Sequence, residues 1–359
     1  MSMNREVDIL YQEAIEVLSA LIRLPSFSKA EQQTGDFLQH WISGKGISTK
    51  RFGHNVLAFN KHFDAAKATI LLNSHHDTVK PNSGYTKNPF EPEMLDGKLY
   101  GLGSNDAGGC LVSLLMAFQH FYDQPNLKYN LLFVASAEEE ISGVNGIERV
   151  LPQIPQIDFA IVGEPTLLQL AIAERGLMVL DCVATGKAGH AAREEGENAL
   201  YKAMKDIEWF RTHSFENVSP FLGPVKMTVT SIETENKAHN IVPVQCKFIV
   251  DVRVNELYAM DELLNIIREN VQCEVAPRST RLKSTIISQD HPIVKAGISL
   301  GKTCYGSPTT SDKALMRFPA LKAGPGDSAR SHTADEFIYL EEIKQGIEFY
   351  ISLLSKVLI

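Results

Sequence analysis

The sequence predicts an α/β protein: a mostly parallel sheet with helices on both faces, plus an inserted smaller α+β domain with an antiparallel sheet. Three observations carry that expectation. The runs "ATILLN" (68–73), "YNLLFVAS" (129–136) and "DFAIVG" (158–163) are apolar almost throughout, as strands covered on both faces are. Helical segments alternate with them, which favours parallel pairing. From about Leu167 to Ser279 the texture changes to shorter strands of alternating character, interrupted by amphipathic helices.

Residues 8–22, "DILYQEAIEVLSALI", carry apolar positions at helical spacing, and Pro25 stops that helix. A second helix is expected across "EQQTGDFLQHWISGKG", ending at glycine, followed by a weaker strand, "NVLAF". After the first strong strand comes "CLVSLLMAFQHFYD", apolar nearly all round and therefore a buried helix. In the inserted region "LMVLDCVATG", "VKMTVTSIE" and "CKFIVDVRV" read as strands, and "NALYKAMKDIEWFRTH" and "MDELLNIIRENV" as helices. That order fits a small antiparallel sheet with helices on one face. "PIVKAGISLGKTCYG" and "LEEIKQGIEFYISLLSKVL" then return to helices of the first type. The expected division is 1–167 with 280–359 as one domain and 168–279 as the insertion.

The chain has 359 residues, 44% hydrophobic and 22% charged, the make-up of a globular protein with ample core. A net charge of −8 without a basic stripe argues against nucleic acid as a partner. No segment approaches the ~18 uninterrupted apolar residues of a membrane span, and a cytoplasmic location is expected, with no membrane partner. The five cysteines are scattered, with no C-x-x-C pair, against a disulfide framework or a thiolate zinc knot.

Chemistry gathers where the apolar runs end. "ILLNSHHDTV" closes on His75, His76 and Asp77, and in an extended chain His75 and Asp77 project to the same face. "YGLGSNDAGG" sets Asp106 among glycines before the buried helix. "LLFVASA" runs into Glu138, Glu139 and Glu140, and "FAIVG" into Glu164. The carboxyl edge of an open α/β sheet is where ligands bind. Carboxylates crowded there repel unless a cation lies among them, and oxygen with imidazole suits zinc, cobalt or manganese. "AGPGDSARSHTADEF" supplies a further histidine, His332.

Taken in order, "SHHDTV", "GLGSNDAGG", "SAEEEIS", "VGEPT", "ERG…GKAGHAA", "HNIVP" and "GPG…SHTADE" resemble the motif series of the dizinc deacylases and peptidases. That family includes acetylornithine deacetylase, succinyl-diaminopimelate desuccinylase, aminoacylase and glutamate carboxypeptidase. The resemblance implies two divalent ions, zinc first with cobalt or manganese as alternatives. His75, Asp106 and Glu164 would hold one ion, and Asp106, Glu140 and His332 the other. It further implies Asp77 hydrogen-bonded to His75, Glu139 as general base, and His190 as the group that stabilises the oxyanion. Asn240, Arg253 and Gly326 match positions that contact substrate, and Arg330 is a candidate for a distal succinyl carboxylate. The implied protein is a homodimer formed through the inserted domain, which doubles as a lid, with His190 reaching the other subunit's metals. The implied reaction removes an acetyl or succinyl group from an N-acyl amino acid. Motif order looks most like acetylornithine deacetylase of arginine biosynthesis, with succinyl-diaminopimelate desuccinylase or a di- or carboxypeptidase as alternatives. A catalytically silent metal or amino-acid binder is the reading from another class.

Overall fold

The computed structural model describes residues 3–193 and 195–359, which form two compact units. The first comprises Met1–Ile172, Ile287–Tyr305 and Ser311–Ile359, and the second Ala173–Ile286 with Gly306–Thr310.

In chain order the first unit opens with α1 (Met3–Ile22), α2 (Gln32–Gly44), β1 (Thr49–Phe52), β2 (Asn55–Phe59) and β3 (Thr69–His75). A hairpin, β4 (Glu93–Leu95) and β5 (Lys98–Tyr100), leads to α3 (Gly109–Phe121), β6 (Asn130–Ser136), α4 (Ile147–Val150) and β7 (Ile157–Val162). Strand β8 (Leu170–Glu174) carries the chain into the second unit: β9 (Gly176–Thr185), α5 (Ala199–Thr212), β10 (Lys226–Thr234), β11 (Gln245–Val254), α6 (Met260–Asn270), β12 (Glu274–Pro277) and β13 (Thr285–Ile286). The remainder is α7 (Pro292–Ser299), β14 (Cys304–Ser307), β15 (Ala320–Lys322), β16 (Phe337–Tyr339) and α8 (Leu340–Leu358).

The main sheet runs β1-β2-β6-β3-β7-β15-β8. Strand β3 is parallel to both β6 and β7, and β15 is parallel to β7. Every residue of β3 and β6 is buried, which is why neither shows the alternation of a one-sided strand. Helix α3 is buried from Gly109 to Phe118 because it packs against β3 and β6 and also against α1 and α8. At about 1.5–3 kcal/mol per fully buried large apolar side chain, Leu111, Leu114, Leu115 and Phe118 fix this helix to the sheet.

The second unit has an antiparallel sheet in the order β10-β11-β9-β12. Alternate residues of β9 and β11 (Met178, Leu180, Cys182; Phe248, Val250, Val252) are buried in one cluster with Ala203 and Phe210 of α5 and Leu263 and Ile267 of α6. The observed architecture is the expected α/β layer with its separate antiparallel sheet. Strands of two to four residues, such as β13 and β15, are too short to impose a period and were not anticipated.

Candidate metal centre

Parallel pairing brings the carboxyl ends of β3, β6 and β7 level: Asn73 is in register with both Val134 and Val162, and His75 with Ser136. His75 is therefore the last residue of a buried strand, and its Nε2 faces three carboxylates. It lies 3.4 Å from Asp106 Oδ1, 3.8 Å from Glu139 Oε2 and 3.8 Å from Glu164 Oε1. On the other side of Asp106, His332 Nε2 is 3.7 Å from Oδ2 and 2.9 Å from Glu140 Oε2. Asp106 thus turns one oxygen to each histidine. Ligand atoms of His75, Asp106 and Glu140 lie within 4.8 Å of one another, as do those of His75, Glu139 and Glu164.

The electrostatics fit a cation. Burial opposes a charge on His75, but Glu139, Asp106, Asp77 and Glu164 outweigh it and hold its pKa well above the ordinary histidine value. His332 is raised to about 9, first by its bond to Glu140. Burial, with Glu164, Asp312 and Glu140 nearby, pushes the Glu139 carboxyl well up against the pull of His75. These directions mark an excess of negative charge in a space lined with imidazole and carboxylate. His75 Nε2 is buried, aimed into that space and without a hydrogen-bond partner, as a metal ligand's ring nitrogen should be. The residues fit one or two divalent ions.

Asp77 holds several of these groups at once. His75 Nδ1 lies 3.0 Å from the main-chain carbonyl of Asp77 and 3.5 Å from its carboxylate. The carboxylate accepts the N–H groups of Glu139 (3.0 Å) and Glu140 (3.2 Å) and the hydroxyl of Ser28 (2.7 Å). Strand β3 ends at His75, so Asp77 already belongs to the loop that follows it.

Glu139 and Glu140 likewise sit on a 3₁₀ turn, Glu139–Ile141, rather than a strand end. The preceding Glu138, at φ 54°, turns away and accepts from Asn145 N and Nδ2 at 3.3 and 3.1 Å. Its own N–H donates to Glu31 Oε1 at 3.1 Å, so two buried acids, Glu31 and Asp77, catch three successive amides. Glu31 was not singled out from sequence, nor was Glu336, which receives the amides of the Asp106 loop and whose pKa rises to about 7, chiefly by burial.

Gly326, at φ 89°, accepts the amide of Leu167, and a Cβ there would meet Asn105 Oδ1 at 2.6 Å, so only glycine fits. Arg330, a candidate for substrate, is bound by both carboxylate oxygens of Glu342 at 2.9 and 2.6 Å. His190, Asn240 and Arg253 belong to the second unit. There the main-chain oxygen of Asn240 accepts the Ala191 amide at 2.9 Å, next to His190, whose Nδ1 accepts from Ala192 N at 3.1 Å. Arg253 pairs with Asp251 at 2.7 and 3.0 Å.

A model of peptidase family M20/M25/M40 matches residues 71–356. The chain belongs to this family. As an M20/M25/M40 member it is a hydrolase of amide bonds, and the carboxylate–histidine cluster is its candidate metal centre. A succinyl-diaminopimelate desuccinylase of Orientia tsutsugamushi (strain Ikeda) is 27% identical over 277 residues, 72% of this chain and 71% of that protein. One from Caulobacter sp. (strain K31) is 25% identical over 374 residues, 96% of each. Aminopeptidase PepT of Bacillus cereus shares the fold at a TM-score of 0.78 and 18% identity, covering 97% and 98% of the two chains. So does the Bacillus subtilis YXEP protein, described as a dinuclear metal binding M20 peptidase, at 0.72 and 16%, covering 98% and 99%.

Proposed function

We propose that this M20/M25/M40 hydrolase is a two-metal deacylase that removes the succinyl group from an N-succinyl diamino acid, with succinyl-diaminopimelate the first substrate to test. The observation that carries the two-metal reading is the Asp106 carboxylate, one oxygen toward His75 and the other toward His332. The acyl group rests on the desuccinylases at 25–27% identity, which move N-acetylornithine, the leading substrate from motif order, to second place. Peptide hydrolysis is the remaining alternative, on the strength of the family as a whole.

His75, Asp106 and Glu164 would hold one ion and Asp106, Glu140 and His332 the other, with zinc the first candidate. When bound, such ions supply Lewis acidity toward the amide carbonyl and toward water. Glu139, with its carboxyl pushed up by burial, takes the proton from the attacking water and returns it to the departing amine. Asp77 holds the turn that aims Glu139, His190 donates to the developing oxyanion, and Asn240, Arg253 and Gly326 hold the substrate.

A homodimer through the second unit completes the reading. Strand β10 is at the sheet edge with an exposed outer row, and α5 exposes Tyr201 and Met204. A cytoplasmic location is part of the proposal; among the described residues no helix is long and apolar enough to cross a membrane. The test is release of free amine from N-succinyl-diaminopimelate, N-acetylornithine and a dipeptide panel, before and after dialysis against chelator. Turnover confined to dipeptides overturns the substrate, and full turnover in verified metal-free protein overturns the metal reading.

A further inference from the structure

The loop that carries Asp106 closes on a buried acid more than two hundred residues away. Gly103, at φ 75°, helps turn the loop so that several of its amides point to one place. Glu336 occupies that place, 2% exposed. Its Oε2 accepts from Gly103 N at 3.0 Å, and its Oε1 from Asn105 N at 2.8 Å and Asp106 N at 2.9 Å. Its main-chain oxygen accepts from Gly101 N at 3.0 Å, continuous with the β16–β5 pairing, so the side chain enters at a fixed depth.

Four residues earlier stands His332, at φ 60°, its carbonyl held by Asn82 Nδ2 at 3.1 Å. Asp335 is pinned by the amides of Thr86 and Lys87 at 2.8 and 2.9 Å. One short segment therefore carries both His332, which faces Asp106 Oδ2 at 3.7 Å, and the carboxylate that locates the Asp106 backbone.

We infer that Glu336 is a positioning residue: by holding the Asp106 main chain, it sets the affinity of the outer metal position bounded by Asp106, Glu140 and His332. The inference rests on the two-metal reading proposed above. A carboxylate accepts three amides without conflict because both oxygens carry lone pairs. Glutamine has one acceptor oxygen, and its NH2 would face at least one loop N–H, so the loop must shift. The inner position is less exposed to that shift because His75 ends the buried strand β3 and Glu164 stands two residues beyond the end of β7.

The test uses the full chain, metal-depleted, titrated with cobalt(II) and followed by calorimetry and visible absorption. The parent should show two binding steps. Glu336→Gln should keep the tighter step and weaken the other about 10–100-fold, as loss of a group that orients a ligand does. Glu336→Asp, which keeps the charge, should recover part of that loss. Circular dichroism checks folding; if the glutamine variant does not fold, the aspartate variant decides, and an unchanged second step in it overturns the inference. A folded glutamine variant with both steps unchanged, or both weakened equally, also overturns it while leaving the two-metal reading in place. A parent that binds fewer than two cobalt ions overturns both.

Discussion

Replacing Asp77 with asparagine keeps the size of a buried side chain while removing one acceptor oxygen and the charge. In the parent, Oδ1 accepts from Glu139 N at 3.0 Å, and Oδ2 from Ser28 Oγ at 2.7 Å and Glu140 N at 3.2 Å. If the asparagine oxygen stays with Ser28 and Glu140, its NH2 meets the Glu139 amide, leaving a buried donor unpaired at a cost of about 1–3 kcal/mol. The two surviving bonds lose their charge assistance, which roughly halves them and removes about another 1–2 kcal/mol. Together the turn is destabilised by about 2–5 kcal/mol. Because that turn aims Glu139, a displacement on the order of 1 Å should lower kcat about 100-fold. Urea unfolding of metal-free protein and steady-state kinetics of reloaded protein measure the two effects. An Asp77→Asn protein with an unchanged unfolding midpoint and kcat within about threefold of the parent refutes the reasoning.

Glu139→Gln should reduce turnover by at least about 100-fold with metal content retained, whereas Glu140→Gln should release metal from the position it shares with His332; metal analysis of both variants separates the roles. Burial holds the His76 pKa at about 4 against an unfolded value near 6.5, so the unfolded chain binds the extra proton. Stability from this group is whole above pH 6.5 and falls by about 3 kcal/mol as pH drops to 4; urea titrations should show a shallower fall in His76→Gln. Arg330→Gln should lower the melting temperature through loss of the Glu342 pair without changing the ratio of succinyl to acetyl substrate turnover; an altered ratio would return Arg330 to the substrate site. Mixing inactive Glu139→Ala with inactive His190→Ala subunits should restore roughly a quarter of parent activity if His190 serves the opposite subunit of a dimer. No recovery after proven exchange would confine His190 to its own chain.

Residue type and motif order made much of the centre legible. His75 and Glu164 stand where uninterrupted apolar runs end, Asp106 and His332 lie in glycine-containing loops, and the order of the motifs joined the four before any geometry. The strands were legible for a related reason: Thr69–His75 and Asn130–Ser136 are buried on both faces and have no polar side to show. The acids behind the centre were not. Glu336 answers to main-chain N–H groups 230 to 233 positions away, and an amide leaves no mark in a sequence because every residue but proline has one. The grip of the Asp77 carboxylate on the amides of Glu139 and Glu140 was hidden for the same reason.

The position of β15 bears on how the chain emerges during synthesis. Strands β7 and β8 follow each other in sequence, yet β15 lies between them, parallel to β7 through Ala320–Lys322 and meeting β8 at Ala171. Until those late residues leave the ribosome, β7 presents an open edge to whatever strand reaches it first. The wait for the distal histidine is long as well: His332 comes 192 positions after Glu140, on the order of 10–40 s at about 5–20 residues per second. During that time the nascent chain carries His75, Asp106, Glu140 and Glu164 without their distal histidine. A chain cut short by premature termination would expose a sticky sheet edge and lack the outer half of the centre, making it a substrate for chaperones and proteases before it could act as an enzyme.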